Sequence, residues 1–286
     1  MRTTSADLIF DARATLGEGA IWDSRNQALL WIDILGKKFW RTTEAHTAFE
    51  VGQFVGTIVP RQRGGVALAL HRGFAFYDLA TQKLTPICDP EDNRPELRFN
   101  DGKCDPAGRF WAGTMPVGDG GPIGSLFCLD ADLHVDRKVT EVSCSNGIAW
   151  SLDHKTLYYI DTPLQRVDAF DYDVATGFIT NRRVAITVPK AFGYPDGSTI
   201  DADGMLWIAH WDGSRVTQWD PRTGKLLQTI PLPVSRVTSC AFGGPRLDRL
   251  YITSAAIGTK PDEKHAGGLF CVDAGVKGVP AYEFLG

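Results

Sequence analysis

Short apolar runs are spaced along the whole chain, and a pair made of an apolar residue and an aromatic one recurs in five of them. The pairs are Leu30-Trp31, Phe110-Trp111, Leu157-Tyr158, Leu206-Trp207 and Leu250-Tyr251. Their aromatic members lie 80, 47, 49 and 44 residues apart, and a degenerate copy at residues 65–70 divides the longest interval. The pattern therefore indicates six units of about 48 residues each.

Each unit also contains further short runs in which apolar and polar residues alternate. A period of two is typical of half-buried β-strands, and turn signals such as Asp203-Gly204 and Thr223-Gly224 separate the runs. Strand units of about 40–50 residues are typical of propeller blades. We therefore predict an all-β fold, a single six-bladed β-propeller domain with a central channel over residues 1–286. A β-sandwich is the alternative, but it does not explain the period.

The two ends of the chain predict how the ring closes. The last unit lacks a fourth strand after Cys271, whereas residues 7–11 form an apolar run that precedes the first unit. A propeller cannot leave a sheet edge open without risking association at that edge. We expect the N-terminal run to pair with the last blade.

Composition narrows the classes of function. The 30 glycines favour many turns, and 43% hydrophobic with 22% charged residues is the composition of a globular protein. The net charge of −4 argues against binding nucleic acid or an anionic membrane, both of which select basic surfaces. Because we find neither a signal peptide nor an apolar run long enough to span a bilayer, we expect a cytoplasmic protein. The six cysteines form no C-x-x-C pair, which argues against a zinc site of that type.

Polar residues recur at the start of the first strand in four units. They are Glu18, Asn100, Asn146 and Asp196. Each precedes the aromatic member of the recurring pair in its own unit, by 13, 11, 12 and 11 residues respectively. In a propeller the first strand lines the channel, so equal positions converge on the axis. The register predicts that these four side chains meet at one mouth of the channel.

Two interpretations of these residues compete. Asn-Gly and Asp-Gly pairs are ordinary turn sequences, but Glu18 is a poor turn residue. Two carboxylates close together are costly unless a cation or a proton lies between them, and oxygen ligands suit Ca²⁺, Mg²⁺ or Mn²⁺. Arg98 and Lys103 flank Asn100, and Arg98 is either a contact for a hydroxylated or anionic substrate or a surface charge.

The same segments resemble a known family. They are Leu16–Trp22, Arg98–Asp105, Gly113–Met115, Ser145–Ser151, Tyr158–Thr162 and Tyr194–Gly197. They are similar, in the same order, to motifs of the regucalcin/gluconolactonase family, also called senescence-marker-protein/gluconolactonase/luciferin-regenerating. The resemblance implies a six-bladed propeller that binds one divalent metal ion in its channel and hydrolyses a sugar lactone.

Residue by residue, the resemblance implies metal ligands at Glu18, Asn146 and Asp196. It implies substrate contacts at Arg98 and Asn100, with Lys103 beside them, and a general base at Asp196. Animal regucalcins also touch substrate with a Glu after the Gly-Thr-Met motif. Here residues 116–122 are rich in glycine and lack Glu, so Asp119 is the candidate substitute. The resemblance therefore does not predict which sugar the protein binds.

Several alternatives stay open at this point. The metal ion is Ca²⁺, Mn²⁺, Mg²⁺, Zn²⁺ or Fe²⁺, and we expect a monomer or a weak homo-oligomer. A Ca²⁺-binding regulatory or interaction propeller without catalysis would share the fold, since one fold hosts many functions. A metal-dependent hydrolase of the phosphotriesterase type would share the metal. The converging carboxylates favour an enzyme, and its expected partner is a small sugar lactone.

Overall fold

The structure is a computed structural model that describes residues 5–286, and it contains six four-stranded antiparallel sheets. The first three sheets are formed by β2–β5 (Gly17–Asp23, Ala28–Asp33, Lys38–Thr42, His46–Glu50), β6–β9 (Val55–Pro60, Val66–Leu70, Gly73–Tyr77, Leu84–Cys88) and β10–β13 (Leu97–Cys104, Phe110–Pro116, Gly124–Leu129, Val135–Val142). The next two are formed by β14–β17 (Ser145–Trp150, Thr156–Asp161, Arg166–Asp173, Phe178–Thr187) and β18–β21 (Tyr194–Ile200, Leu206–Trp211, Arg215–Asp220, Lys225–Pro231). The sixth combines β22–β24 (Val237–Gly243, Arg249–Ser254, Leu269–Asp273) with β1 (Asp7–Phe10). Two 3-10 turns span Thr162–Leu164 and Lys190–Phe192.

The sheets form a ring in which the first strands of successive sheets contact one another around the axis. The apolar cores lie between neighbouring sheets. Trp111 packs against Trp150 of the next sheet with ring centroids 6.0 Å apart, and Trp207 packs against Phe242 of the next with centroids 5.7 Å apart. The predicted six-bladed propeller is confirmed, and these two tryptophans of the recurring pairs lie between sheets.

The ring closes through the N-terminal strand. Strand β1 pairs antiparallel with β24, and Leu8 lies opposite Phe270. The last sheet therefore takes its outermost strand from the start of the chain, as the spare run before the first unit predicted. Among residues 5–286 there is no helix of the length and apolar character that crossing a bilayer requires.

Residues 275–286, which we call the C-terminal strap, cross the mouth of the channel at the turns between first and second strands. The strap contacts all six of these turns. The contacts, in sheet order, are Arg25–Glu283, Gln62–Phe284, Gly108–Leu285, His154–Tyr282, Ala202–Lys277 and Leu247–Gly278. Because Phe284 is fully buried, the strap is an integral part of the fold.

Every first strand contains a register irregularity near its start. The irregularity follows Glu18, Val55, Phe99, Asn146, Pro195 and Val237 in the six sheets. A bulge bends a strand and re-aims the adjoining side chains. At Gly147 and Gly197 a Cβ atom would lie only 2.5 to 2.6 Å from a serine hydroxyl of the next sheet, so glycine permits the sheets to approach there. The bulges thus turn the polar positions toward the axis.

Candidate active site

Four of the predicted residues meet at the mouth where the first strands begin. Glu18, Asn100, Asn146 and Asp196 lie in the first strands of four different sheets and are all buried. Together with Arg98 they line one cavity of about 340 Å³. The structure therefore brings together five of the seven residues singled out from the sequence.

The amides and the guanidinium form one chain of hydrogen bonds. Arg98 Nη1 donates to Asn100 Oδ1 at 2.7 Å, and Asn100 Nδ2 donates to Asn146 Oδ1 at 3.0 Å. Asn146 Nδ2 donates to Thr162 Oγ1 at 2.7 Å, and Thr162 Oγ1 donates to the Pro195 carbonyl at 2.8 Å. Each amide is thereby oriented with its carbonyl oxygen toward the preceding donor. A carbonyl oxygen has two lone pairs, so Asn146 Oδ1 keeps one for a ligand.

The two carboxyl groups are strongly perturbed. Burial, followed by the neighbouring Asp101 carboxylate, raises the pKa of Glu18 to about 8. Burial and the charge of Glu18 raise the pKa of Asp196 well above its ordinary value. Asp196 Oδ1 is buried and has no hydrogen-bond partner among the described residues. Ionising both carboxyl groups at once is costly, because the charge of Glu18 disfavours the charged form of Asp196.

Two further aspartates hold the loops that enter the site. Asp33, at the end of β3, accepts hydrogen bonds from the backbone of Thr15 and Leu16, just before Glu18. Asp161, at the end of β15, accepts them from Ser143 and Cys144, just before Asn146. The same aspartate-to-backbone hydrogen bonding occurs in these two sheets and fixes where the first strand of each begins.

The donor set fits a hard divalent cation. Within residues 5–286 no three His, Cys, Asp or Glu side chains cluster as metal ligands, so a site here depends on an amide. Glu18 and Asp196 supply carboxylate oxygens and Asn146 an amide oxygen, and the Asp196 Oδ1 atom without a partner is an open ligand position. Oxygen-only ligands are those that Ca²⁺ and Mg²⁺ prefer. A cation between the two carboxylates would also offset their mutual repulsion.

Two residues proposed from the sequence do not reach this cavity. Lys103 Nζ donates to the Ser198 carbonyl at 2.7 Å, and the side chain lines a different cavity at the other end of the channel. Asp119 is exposed on the glycine-rich segment and does not line the site. Neither residue lines the cavity that the other five candidate residues share.

The sequence reasoning did not single out the apolar wall of the cavity. It consists of Leu16, Met115, Cys144, Pro163, Tyr194 and Trp211. Tyr194 and Trp211 lie opposite each other on β18 and β19, and Tyr194 is exposed. The available signal was their position, since Tyr194 lies two residues before Asp196 at the same mouth.

Comparison with known proteins identifies the family. A model described as the SMP-30/gluconolactonase/LRE-like region matches residues 16–256. The chain belongs to the SMP-30/gluconolactonase/LRE-like family. The resemblance found in the sequence motifs is thus confirmed, and family membership supports lactone hydrolysis or calcium binding as the general class of function.

Three relatives of this SMP-30/gluconolactonase/LRE-like chain show how close the match is. Regucalcin of Danio rerio is 41% identical, and the alignment covers the whole of both chains. A luciferin-regenerating enzyme of solved structure is 35% identical and superposes with a TM-score of 0.93 over 99% of each chain. A calcium-binding protein, regucalcin, from Agrobacterium tumefaciens is 26% identical, with a TM-score of 0.92 over 99% of this chain and 97% of that chain. The family fold therefore extends over the full length of the chain.

Proposed function

We propose that this protein is a metal-dependent lactonase that hydrolyses a sugar (aldono) lactone to the aldonic acid. The observation that carries the proposal is the buried Glu18–Asp196 pair with its open Asp196 oxygen, placed beside amide and guanidinium donors in one cavity. Family membership supports the same class of reaction. A cavity of about 340 Å³ is at the small end of ligand sites, which suits a lactone of one ring.

One divalent cation would be held by Glu18, Asn146 and Asp196. Bound there, it would polarise the lactone carbonyl and lower the pKa of a water molecule. Two carboxylates and an amide, each giving one oxygen, would leave about half of a six-coordinate sphere for substrate and water. Ca²⁺, Mg²⁺ and Mn²⁺ suit these ligands best, and Zn²⁺ and Fe²⁺ belong in the same test.

The remaining chemistry is assigned to the side chains. Arg98 and Asn100 orient the substrate hydroxyls, and their own hydrogen bond holds both in place before substrate arrives. Asp196 accepts the proton of the attacking water as the new C–O bond forms at the lactone carbonyl. The ring C–O bond then breaks, and Asp196 returns the proton to the leaving ring oxygen. The product is the open hydroxy acid, so one water is consumed and the atoms balance.

Calcium binding without catalysis is the competing function. The oxygen ligands that support a lactonase also suit Ca²⁺, and a regucalcin of 26% identity is a calcium-binding protein. The two proposals differ in turnover, which a binding protein lacks. The polar chain from Arg98 to Thr162 on one side of the carboxylates favours a site that orients a substrate.

The test is a panel of freshly prepared pentono- and hexonolactones in a pH-indicator assay, with spontaneous hydrolysis subtracted. Stripped protein receives each divalent ion in turn. We expect reversible dependence on metal, and we expect Asp196→Asn to lower kcat by roughly 10²- to 10⁴-fold, the usual range for a general base. Asp203→Asn, on the exposed turn between β18 and β19, is the matched control and should leave kcat unchanged.

Calorimetric titration with Ca²⁺ and Mn²⁺ separates the two functions. Tight metal binding that Glu18→Gln abolishes, together with no turnover of any lactone, would support the binding protein instead. Full turnover in stripped protein would contradict the metal-dependent mechanism.

A further inference from the structure

We propose that the opposite end of the channel holds a second ligand site, which binds a small carboxylate with an apolar body, such as a one-ring aromatic acid. This site lies beneath the C-terminal strap, away from Glu18 and Asp196, and no residue lines both cavities. The proposal does not depend on the lactonase function.

The site is a cavity of about 210 Å³ between the first strands and the strap. Residues of five sheets surround it, and strap residues 279–282 form its floor. The strap is anchored there by the hydrogen bond between Tyr282 Oη and His154 Nε2, 2.8 Å long. The cavity is thus built by five of the six sheets and by a segment that has no place in the candidate active site.

The volume selects a small ligand. A cavity of about 150 Å³ in a protein core holds benzene, whereas drug-sized ligands occupy about 300 Å³ or more. The space beneath the strap lies between these values, so it accommodates one ring with a short polar group. Its walls are largely apolar, with Ile21, Ile200, Phe242 and Pro280 among them, and they favour an apolar body over a polyhydroxylated one.

The polar atoms at the cavity select a hydrogen-bond acceptor. Trp22 and Trp150 both line it and add aromatic area to its walls. Lys103 also lines it and uses one of its three ammonium donors on the Ser198 carbonyl. A carboxylate would supply acceptors for the ammonium donors of Lys103 that the Ser198 carbonyl does not take.

The charge at this end also favours an anion. Among the described residues that line the cavity, Lys103 is the only Lys, Arg, Asp or Glu. The neighbouring Asp101 carboxylate is near enough to act on Lys103, but it does not line the cavity and accepts a hydrogen bond from the Gly102 backbone at 2.7 Å. His154 is already paired with Tyr282. A carboxylate entering beneath the strap therefore meets a cation first.

The test uses benzoate as the probe, with intrinsic tryptophan fluorescence as the readout, because Trp22 and Trp150 line the cavity. We expect saturable quenching by benzoate and affinity lower by about tenfold or more for neutral benzamide. Lys103→Met should weaken benzoate binding by a similar factor, since a hydrogen bond to a charged group is worth roughly 1.5–3 kcal/mol. The exposed Lys225 on β21 supplies the matched control, Lys225→Met, which should bind benzoate like the unmodified protein.

The competing location for a carboxylate is Arg98 in the candidate active site. If benzoate binding is lost in Arg98→Ala and retained in Lys103→Met, the proposal is wrong. Equal affinity for benzoate and benzamide in the unmodified protein also overturns it. This second comparison needs no variant, so a folding defect in Lys103→Met leaves the test decisive. A crystal soaked with benzoate should show it beneath the strap.

Discussion

His210 is a fully buried histidine that carries no charge in the folded protein. Its Nε2 atom lies 2.6 Å from Thr217 Oγ1, and its Nδ1 atom has no partner among the described residues. Burial, followed by the charge of Arg215, lowers its pKa from 6.5 to about 3. The residue lies near the end of β19 at the active-site mouth, but its ring packs against Phe192 and does not line the cavity.

This depressed pKa predicts a loss of stability in acid. Above pH 6.5 the imidazole is neutral in both states, so its contribution is fully present. As the pH falls from 6.5 toward 3, the unfolded chain takes up a proton that the folded protein refuses, and the free energy of unfolding falls. At pH 5 the loss from this residue is about 2 kcal/mol. Urea unfolding at pH 5 and 7.5 measures it.

His210→Gln should reduce the pH dependence of stability by that amount, whatever it does to absolute stability. His134→Gln is the control, because His134 is exposed on the surface. An unchanged difference between pH 5 and 7.5 in His210→Gln would mean that other groups cause the acid loss.

The position of Lys103 shows where prediction from sequence stopped. Glu18, Asn100, Asn146 and Asp196 were found because a shared register implies a shared place in the ring. Lys103 was grouped with Asn100 because it is near in sequence. A strand rises about 3.3 Å per residue, so three residues carry Lys103 roughly 10 Å along the channel. Sequence proximity within a strand that runs along the axis therefore separates residues between the two mouths.

At the scale of the strand pair, Asp201 has a structural role. It lies five residues after the candidate site residue Asp196. Asp201 Oδ1 accepts the backbone N–H groups of Asp203 and Met205, which shapes the turn between β18 and β19. Its Oδ2 accepts Trp207 Nε1 at 2.8 Å and Gln218 Nε2 at 2.7 Å. One buried carboxylate thus joins the turn, the marker tryptophan and the third strand.

The same hydrogen-bonding arrangement recurs in the third sheet, between the turn that follows the first strand and the tryptophan of the second strand. Asp105 Oδ1 accepts the backbone N–H groups of Ala107 and Arg109, and Oδ2 accepts Trp111 Nε1 at 2.9 Å. The spacing between the aspartate and the tryptophan is therefore set by one turn and one hydrogen bond. The sequence alone does not reveal this hydrogen bond, because it depends on how the turn folds back onto the second strand.

Asp201→Asn should lower the free energy of unfolding by roughly 3 kcal/mol. The amide would place N–H donors against the indole or backbone donors that the carboxylate now accepts, and unpaired buried donors cost about 1–3 kcal/mol each. For a chain of this length the loss corresponds to roughly 5 °C in Tm, which calorimetry measures. Asp203→Asn, on the same turn, is exposed and should leave Tm within about 1 °C.

The bulges in the first strands mark the limit of prediction at this scale. A regular strand alternates its side chains between two faces, so the register of Glu18 and Asp196 alone does not aim them at the axis. The irregularity that follows Glu18 and the one between Pro195 and Ser198 turn these two side chains toward the axis. The bulge depends on pairing with the second strand, so the sequence of the first strand alone does not predict it.

At the scale of the whole molecule, the two ends of the chain complete the ring in different ways. Strand β1 supplies the outer strand of the last sheet. The strap spans all six turns at the channel mouth opposite the candidate active site. The pairing of β1 with the last sheet was predictable, because the last unit lacks one strand and the N-terminal run supplies one. The strap was not, because residues 275–286 have no repeat and make their contacts through the backbone and single side chains.

Closure through β1 predicts that a disulfide can lock the ring. Asp7 lies directly opposite the free thiol of Cys271. Directly paired residues in antiparallel strands have Cα atoms about 4.5–5.5 Å apart, within the range of about 4.4–6.8 Å that a disulfide spans. Asp7→Cys should therefore cross-link to Cys271. Because burial raises the pKa of the Cys271 thiol, the reaction needs an added oxidant such as copper phenanthroline.

The oxidised variant should be more stable, because the cross-link closes a loop of nearly the whole chain and so restricts the unfolded state. Disulfides of this kind contribute roughly 2–4 kcal/mol, or roughly 3–6 °C in Tm for a chain of this length. Asp7→Ser treated with the same oxidant should show no rise, and dithiothreitol should reverse the rise in Asp7→Cys. If thiol titration after oxidation still finds both cysteines free, β1 does not lie beside β24 in solution. A cross-link that forms without raising Tm would instead mean that closure of this sheet is not what limits unfolding of the ring.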